Sequence, residues 1–286
     1  AKIKPGDIVV LELDSWQLQG WGESKISPHI SVFTNFMNDH LNYYLKGSSS
    51  EKEEVEKYFN DKAHIFKNHN KKNFLIIDKK TKREINIRYG SDIKSKIIVP
   101  TLKLISHWNI KLKGEHNKLN ILKAIKVAEL LGVSMKIIKK SVENFSGVEG
   151  RQQFLGEYRG IKIYNDTTAT TPDATVVALE SFGNLKNKNI VLIMGGADKN
   201  LNMDELIRQT PKYCRKVILL DGTGTEKLEG KIKGILVSSL KEGLSEALKW
   251  CKRGDVLLFS PAFASFGMFK NEYDRGDKFV RLIKKL

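Results

Sequence analysis

Tyr164-Asn165-Asp166-Thr167-Thr168-Ala169-Thr170-Thr171-Pro172-Asp173-Ala174-Thr175 decides how the second half of this 286-residue chain folds. It follows the alternating run Gly160-Ile161-Lys162-Ile163-Tyr164 and leads into the apolar Val176-Val177-Ala178-Leu179. The chain should therefore leave a strand and enter a helix here. Thr171 suits the N-cap, Pro172 the first helical turn, and Asp173 the positive end of the helix dipole. A polar segment between strand and helix is where open α/β sheets bind ligands, although taken alone it also reads as an ordinary loop.

Outward from that stretch the pattern repeats. Strands are expected at Ile161 to Asn165, Asn189 to Met194, Lys216 to Leu220, Gly234 to Val237 and Asp255 to Phe259, with helices between. The clearest helix carries Leu240, Leu244, Ala247, Leu248 and Cys251, and the last carries Phe279, Leu282, Ile283 and Leu286. Such alternation predicts a mostly parallel sheet covered on both faces. Polar signals fall at the strand ends: Asn165-Asp166, Gly195 to Lys199, Asp221-Gly222 and Ser260 to Phe266. Upstream, Ser146 to Gly150 is small, Gly-rich and aperiodic, which divides the chain into domains 1–147 and 148–286.

In the first domain, Gly6 to Gln17 reads as a buried-strand run that ends on acidic and polar residues, and Ile30 to Asn35 as another strand that runs into Asn38-Asp39-His40. A carboxylate such as Glu12 at such a strand end suits a metal, and each residue singly also has a plain structural reading. A helix is expected around Glu53 to Phe66, with Tyr58, Phe59, Ile65 and Phe66 on its apolar side and Lys62 as the odd member. A lysine there either snorkels or, beside a metal, acts as a neutral amine. Asn73 to Asp78, Glu84 to Tyr89 and Lys96 to Val99 read as short strands. A helix opens near Gly114, with Asn117 and Asn120 one turn apart, and ends at Gly132; Ser134 caps the next, to about Asn144.

The formal net charge is +16, but Lys and Arg are spread over the chain and interleaved with Asp and Glu, so a solvated surface is favoured over a nucleic-acid partner. Anionic small substrates suit the same charge. No apolar run is long enough to span a bilayer, and no secretory leader opens the sequence. With two cysteines in no framework spacing, a cytoplasmic setting is expected.

Leu11 to Gln17, Asn35 to His40, Gly114 to Asn120, Tyr164 to Thr175, Gly195 to Lys199, and Ser260 to Phe266 with Phe269 to Gly276 stand in the order found in Mur ligases, which the chain resembles over nearly its whole length. The resemblance implies a truncated central α/β (ATPase) domain followed by a Rossmann-like, C-terminal amino-acid-binding domain. It implies an ATP-dependent ligase that phosphorylates the carboxylate of UDP-N-acetylmuramoyl-L-alanine, then lets the amine of D-glutamate attack the acyl phosphate. By the same resemblance Glu12 and His40 are magnesium ligands, with Lys62 carboxylated to a carbamate that helps hold the second metal. Ser15 and Gln17 lie near the uridine nucleotide, and Asn117, Asn120, Arg151 and Asp166 near ATP. Thr170, Lys199, Ser265 and Phe266 match the D-glutamate pocket, and hinge closure between the domains would complete the site.

There are departures. The 286 residues contain no Gly-x-x-Gly-Lys-Ser/Thr phosphate loop. The expectation is a fragment or split product whose loop comes from a separate N-terminal segment and which alone is a poor catalyst. Thr168, Asn42 and Asp14 also differ from residues common in the family. Two other readings stay open: a non-catalytic nucleotide- or amino-acid-binding module, and a related ligase for another amino acid.

Overall fold

The computed structural model describes residues 2–37, 41–44 and 50–286. These form two compact units, one of residues 1–106 with 119–135, the other of 107–118 with 136–286.

The first unit starts irregularly. Residues 7–13 form no strand, and Ile8, Val9, Val10 and Leu11 are exposed, Val10 by 87%. The expected N-terminal strand is thus corrected: a strand needs a partner for its backbone groups, and no described segment pairs with this one. The chain instead enters α1 (Ser15–Glu23). Asp14 caps it reciprocally, its carboxylate accepting from Gln17 N–H at 2.8 Å while Gln17 Oε1 accepts from Asp14 N–H at 3.0 Å. Next come β1 (Ile30–Val32), α2 (Leu41–Tyr44), α3 (Glu51–Lys67), β2 (Phe74–Ile76), α4 (Lys79–Tyr89) and β3 (Lys96–Ile98).

The strands make a parallel sheet in the order β1-β2-β3. Its core joins Phe33, Leu75 and Ile77 to Phe59, Ala63 and Phe66 of α3 and Ile85 of α4. The expected strand over Glu84 to Tyr89 is therefore corrected to helix. Its period-two look, Glu-Ile-Asn-Ile-Arg-Tyr, is overridden by the Asp78 cap on Thr81 N–H at 2.9 Å. One helical face, Thr81 with Ile85, is buried, while Ile87 is left 82% exposed.

Asp78 also takes Lys123 Nζ at 2.7 Å, and the same ammonium donates to the Thr34 carbonyl. Burial would raise the Asp78 pKa, but Lys123 and the Thr81 donors outweigh it and hold the carboxyl below its usual range.

α5 (Glu115–Leu130) follows; its first turn belongs to the second unit and its remainder to the first. It ends as its sequence requires. Gly132, at φ +79°, donates to Glu129 O and Val133 N–H donates to Ala128 O, the paired bonds of a glycine-terminated helix.

In the second unit α6 (Met135–Asn144) precedes β4 (Gln153–Tyr158), β5 (Ile161–Asn165), α7 (Pro172–Phe182), β6 (Ile190–Gly195), α8 (Asp204–Tyr213), β7 (Cys214–Leu220), α9 (Thr223–Glu226), β8 (Ile235–Val237), α10 (Leu240–Trp250), β9 (Val256–Phe259) and α11 (Glu272–Ile283). The sheet order is β4-β5-β9-β6-β7-β8, parallel except for β4 against β5. β6 and β9 are buried at every residue, as a sheet covered on both faces demands. Alternate residues serve opposite faces. Ile190, Leu192, Met194 and Leu258 pack with Val176 and Leu179 of α7 and Leu206 of α8. Val191, Ile193, Leu257 and Phe259 pack with Leu240 and Leu244 of α10 and Phe279 of α11. Every strand expected in this half is present, and β4, which was not expected, forms the edge.

Candidate functional site

β9 is the last strand in sequence but lies between β5 and β6, so the loops after these three strands meet where the winding order reverses. Ligand crevices of open α/β sheets form at such a point. Backbone bonds lock the loops together. Ala262 N–H donates to Ala169 O at 2.9 Å and Gly195 N–H to Pro261 O at 2.9 Å. Ala197 and Ala264 exchange two bonds, of 2.9 and 3.1 Å, and Gly224 N–H reaches Gly196 O at 2.9 Å.

The helix that leaves the first loop starts as its sequence indicates: Thr171 Oγ1 accepts from Ala174 N–H at 3.4 Å, Pro172 opens α7 and Asp173 sits in its first turn. Pro172, Asp198, Lys199, Leu201 and Phe263 line a narrow cleft. Thr170 and Lys199 are partly buried and Ser265 is buried, whereas Phe266 stands out, 69% exposed.

Beneath the loops lies a polar layer. Asp166 is buried; its carboxylate accepts from Gln152 N–H at 3.0 Å and from Ser260 Oγ at 2.7 Å, and Ser260 Oγ also meets Thr175 Oγ1 at 2.9 Å. Burial pushes the Asp166 pKa up to about 7, against the opposing pull of Ser260, Gln152 and the charge of Arg151.

Arg275 of α11 is 0% exposed, and sequence reading gave it no role. Its guanidinium donates to Thr167 O at 2.7 Å, Phe263 O at 3.1 Å and Thr167 Oγ1 at 3.2 Å, tying the loop after β5 to the loop after β9. Burial lowers its pKa to about 10. The signal available was an Arg-Gly pair in a helix, where Gly276 lets Thr167 approach: a Cβ there would fall 2.6 Å from Thr167 Cγ2.

The residues matched to ATP by resemblance divide between the units. In the second, Asn117 Nδ2 donates to Lys113 O at 2.7 Å and Gln152 Oε1 at 3.4 Å, Arg151 is exposed after Gly150, and Asp166 lies beneath as described. Asn120, in the first unit, is exposed on α5.

Of the other residues in the first unit, Glu12 is exposed in irregular chain, Gln17 closes the cap of α1, and Ser15 is buried and hydrogen-bonded to Tyr44. Lys62 is partly buried on α3, its Nζ 5.0 Å from the centroid of the Tyr58 ring. His40 lies outside the described residues. Among the described residues no group of three or more His, Cys, Asp or Glu side chains could hold a metal. Glu12 offers a single carboxylate, and an uncarboxylated lysine is a cation. With His40 outside the described residues, Glu12 and Lys62 by themselves supply no complete ligand set, and no chemical step is assigned to a metal.

Comparison with known proteins accords with this architecture. Residues 2–128 match the Mur ligase middle domain, and residues 150–263 match the Mur ligase, glutamate ligase domain. UDP-N-acetylmuramoylalanine–D-glutamate ligase of Caldanaerobacter subterraneus subsp. tengcongensis is 33% identical over 307 residues, covering 99% of this chain and 65% of its own. The ligase of the same name from Aquifex aeolicus is 31% identical over 293 residues, covering 98% of this chain and 67% of its own. The chain thus spans about two thirds of the length of these relatives. The crystal structure of MurF ligase from Thermotoga maritima in complex with ADP shares the fold, with a TM-score of 0.66 at 15% identity over 96% of this chain and 65% of that one. Two matched domains in sequence order, and identity of about a third along nearly every residue, lead to one conclusion: this chain belongs to the Mur ligase family.

Proposed function

We propose that this chain is the central and C-terminal part, residues 1–147 and 148–286, of a ligase that joins D-glutamate to UDP-N-acetylmuramoyl-L-alanine through an acyl phosphate, at the expense of ATP, in cytoplasmic peptidoglycan precursor synthesis. The observation that carries the reading is the locked cluster of loops after β5, β6 and β9, which bears Thr170, Lys199 and Ser265. There a lysine after a double glycine is suited to pair with a carboxylate of the incoming amino acid. Phe266, next to Ser265 in sequence, is exposed, and in this reading its ring would cover the bound amino acid.

In this reading Asn117, Asn120, Arg151 and Asp166 serve ATP, and Ser15 and Gln17 the uridine nucleotide. Glu12, His40 and carboxylated Lys62 are kept as candidates near the phosphates, and magnesium enters as the counter-ion of ATP. The phosphate loop, absent from the 286 residues, is assigned to a separate N-terminal segment.

Two measurements test the reading. Calorimetric titration should give binding of D-glutamate, and Lys199→Ala should weaken it by about 10- to 100-fold, the worth of one charge-assisted hydrogen bond. Adding a segment that bears the phosphate loop should then produce phosphate release that depends on both D-glutamate and UDP-N-acetylmuramoyl-L-alanine. Binding without release in that mixture would replace the ligase by a non-catalytic binding module. Preference for another amino acid would move the chain to a different branch of the family.

A further inference from the structure

At the opposite end of the second sheet from these loops, near the amino ends of β6 and β7, lies a cavity of about 460 Å³. Its cations come from three separate stretches: Lys188 just before β6, Arg215 and Lys216 at the start of β7, and Lys231 and Lys233 before β8. Trp250, the last residue of α10, and the buried Thr210 and Cys214 complete this part of the lining, to which no Asp or Glu contributes.

The general basicity of the chain does not account for this cluster. Elsewhere lysines stand beside carboxylates, as Lys126 does with Glu129, Lys227 with Asp198 and Lys278 with Asp274. Around the cavity, among the described residues, only Arg215 forms an ion pair, with Asp255 at 2.9 and 3.1 Å. Lys216 lies 4.2 Å from the Trp250 ring centroid. Glu246, the nearby acid of α10, is already engaged by Lys249 at 2.7 Å and Trp250 Nε1 at 3.1 Å. Lys188, Lys231 and Lys233 form no ion pair among the described residues. Cys214 adds no negative charge, since burial pushes its thiol far above the usual range. Like charges brought to one hollow repel each other, and a bound anion would remove that cost.

We propose that this cavity binds a small phosphorylated anion, of pyrophosphate or nucleotide class. Its volume falls within the range of small-molecule sites. Lysine ammonium groups suit phosphate as mobile point charges with three donors each, whereas a carboxylate ligand would favour the arginine fork, which Asp255 occupies. Trp250 offers a planar ligand an aromatic surface, which separates the two ligand classes experimentally.

The test is titration calorimetry of the whole chain with inorganic pyrophosphate and, separately, with ADP. Pyrophosphate should bind the wild type, and the double substitution Lys231→Ala/Lys233→Ala should weaken it by about tenfold or more, two charge-assisted contacts being lost. Lys188→Ala should act in the same direction. Lys241→Ala, an exposed lysine outside the cavity, should leave pyrophosphate binding unchanged. Tighter binding of ADP than of pyrophosphate, with the advantage lost in Trp250→Ala, would identify a nucleotide ligand; equal binding would identify the phosphates alone. No pyrophosphate binding by the wild type, or binding that is indifferent to the double substitution and lost only on Arg151→Ala, at the proposed ATP site, would overturn the proposal. Because Lys199 and D-glutamate play no part, failure here leaves the ligase reading intact, and the reverse holds too.

Discussion

Asp166 was legible as a strand-end carboxylate, but its burial was not, because burial depends on what β9 brings beside it. Its folded-state pKa of about 7 lies above the unfolded value of about 3.9. Below about pH 4 both states are protonated, and the group costs nothing. Between about pH 4 and 7 the unfolded chain gives up its proton while the folded one keeps it, so stability falls as pH rises and levels off above about 7. An asparagine cannot ionise. Asp166→Asn should therefore lose this pH dependence. The stability of the variant relative to the wild type should rise by up to about 4 kcal/mol between pH 4 and 7.5, at about 1.4 kcal/mol per pKa unit. A constant offset is expected besides, because the amide must turn its NH2 toward one of two donors, Gln152 N–H or Ser260 O–H. Urea unfolding across that pH range measures both, and parallel curves for the two proteins would refute the assignment.

The double glycine at the end of β6 is what allows the loops to lock. Gly196 has φ +144°, and a Cβ built there would lie 2.3 Å from Ala264 O, a backbone atom that cannot swing aside. Gly196→Ala should destabilise the second unit by about 2 kcal/mol or more, through backbone strain and a broken Ala197–Ala264 bridge. It should also weaken D-glutamate binding even though Lys199 is untouched; unfolding and titration of the same variant report the two effects, and wild-type values for both would refute the locking role. Elements of this kind were readable wherever short-range chemistry decided them: the cap and proline of α7, the glycine stop of α5, the apolar runs of β6 and β9. β4 was missed because Gln153 to Tyr158 is partly exposed, carries Gly156 at φ +137° and shifts register there. A signal existed in Arg159-Gly160, which takes positive φ at both residues, as a tight hairpin turn requires. α4 was misread because alternation over six residues looks the same whether one or both isoleucines are buried.

Across the whole molecule, what the sequence could not reveal is which strand-forming segments find partners. Ile8 to Leu11 has the composition of a buried strand and lies exposed, because pairing is a property of the neighbours and not of the segment. Charge is a property of the same scale. With a formal +16 over 286 residues, like-charge repulsion acts between all parts of the surface, while exposed pairs such as Lys57–Glu53 and Lys139–Glu143 contribute about 0 to 1 kcal/mol each. Salt screens both. At about 0.15 M the screening length is about 8 Å, longer than a contact ion pair but shorter than the spacing of most lysines on opposite faces, so the long-range repulsion is reduced more than the short-range attraction. Raising sodium chloride from 10 to 150 mM should therefore raise the melting temperature at pH 7, by about 2 to 4 °C if the net gain is near 1 kcal/mol. Scanning calorimetry at the two concentrations decides it: a fall in melting temperature would mean that the local ion pairs outweigh the surplus positive charge.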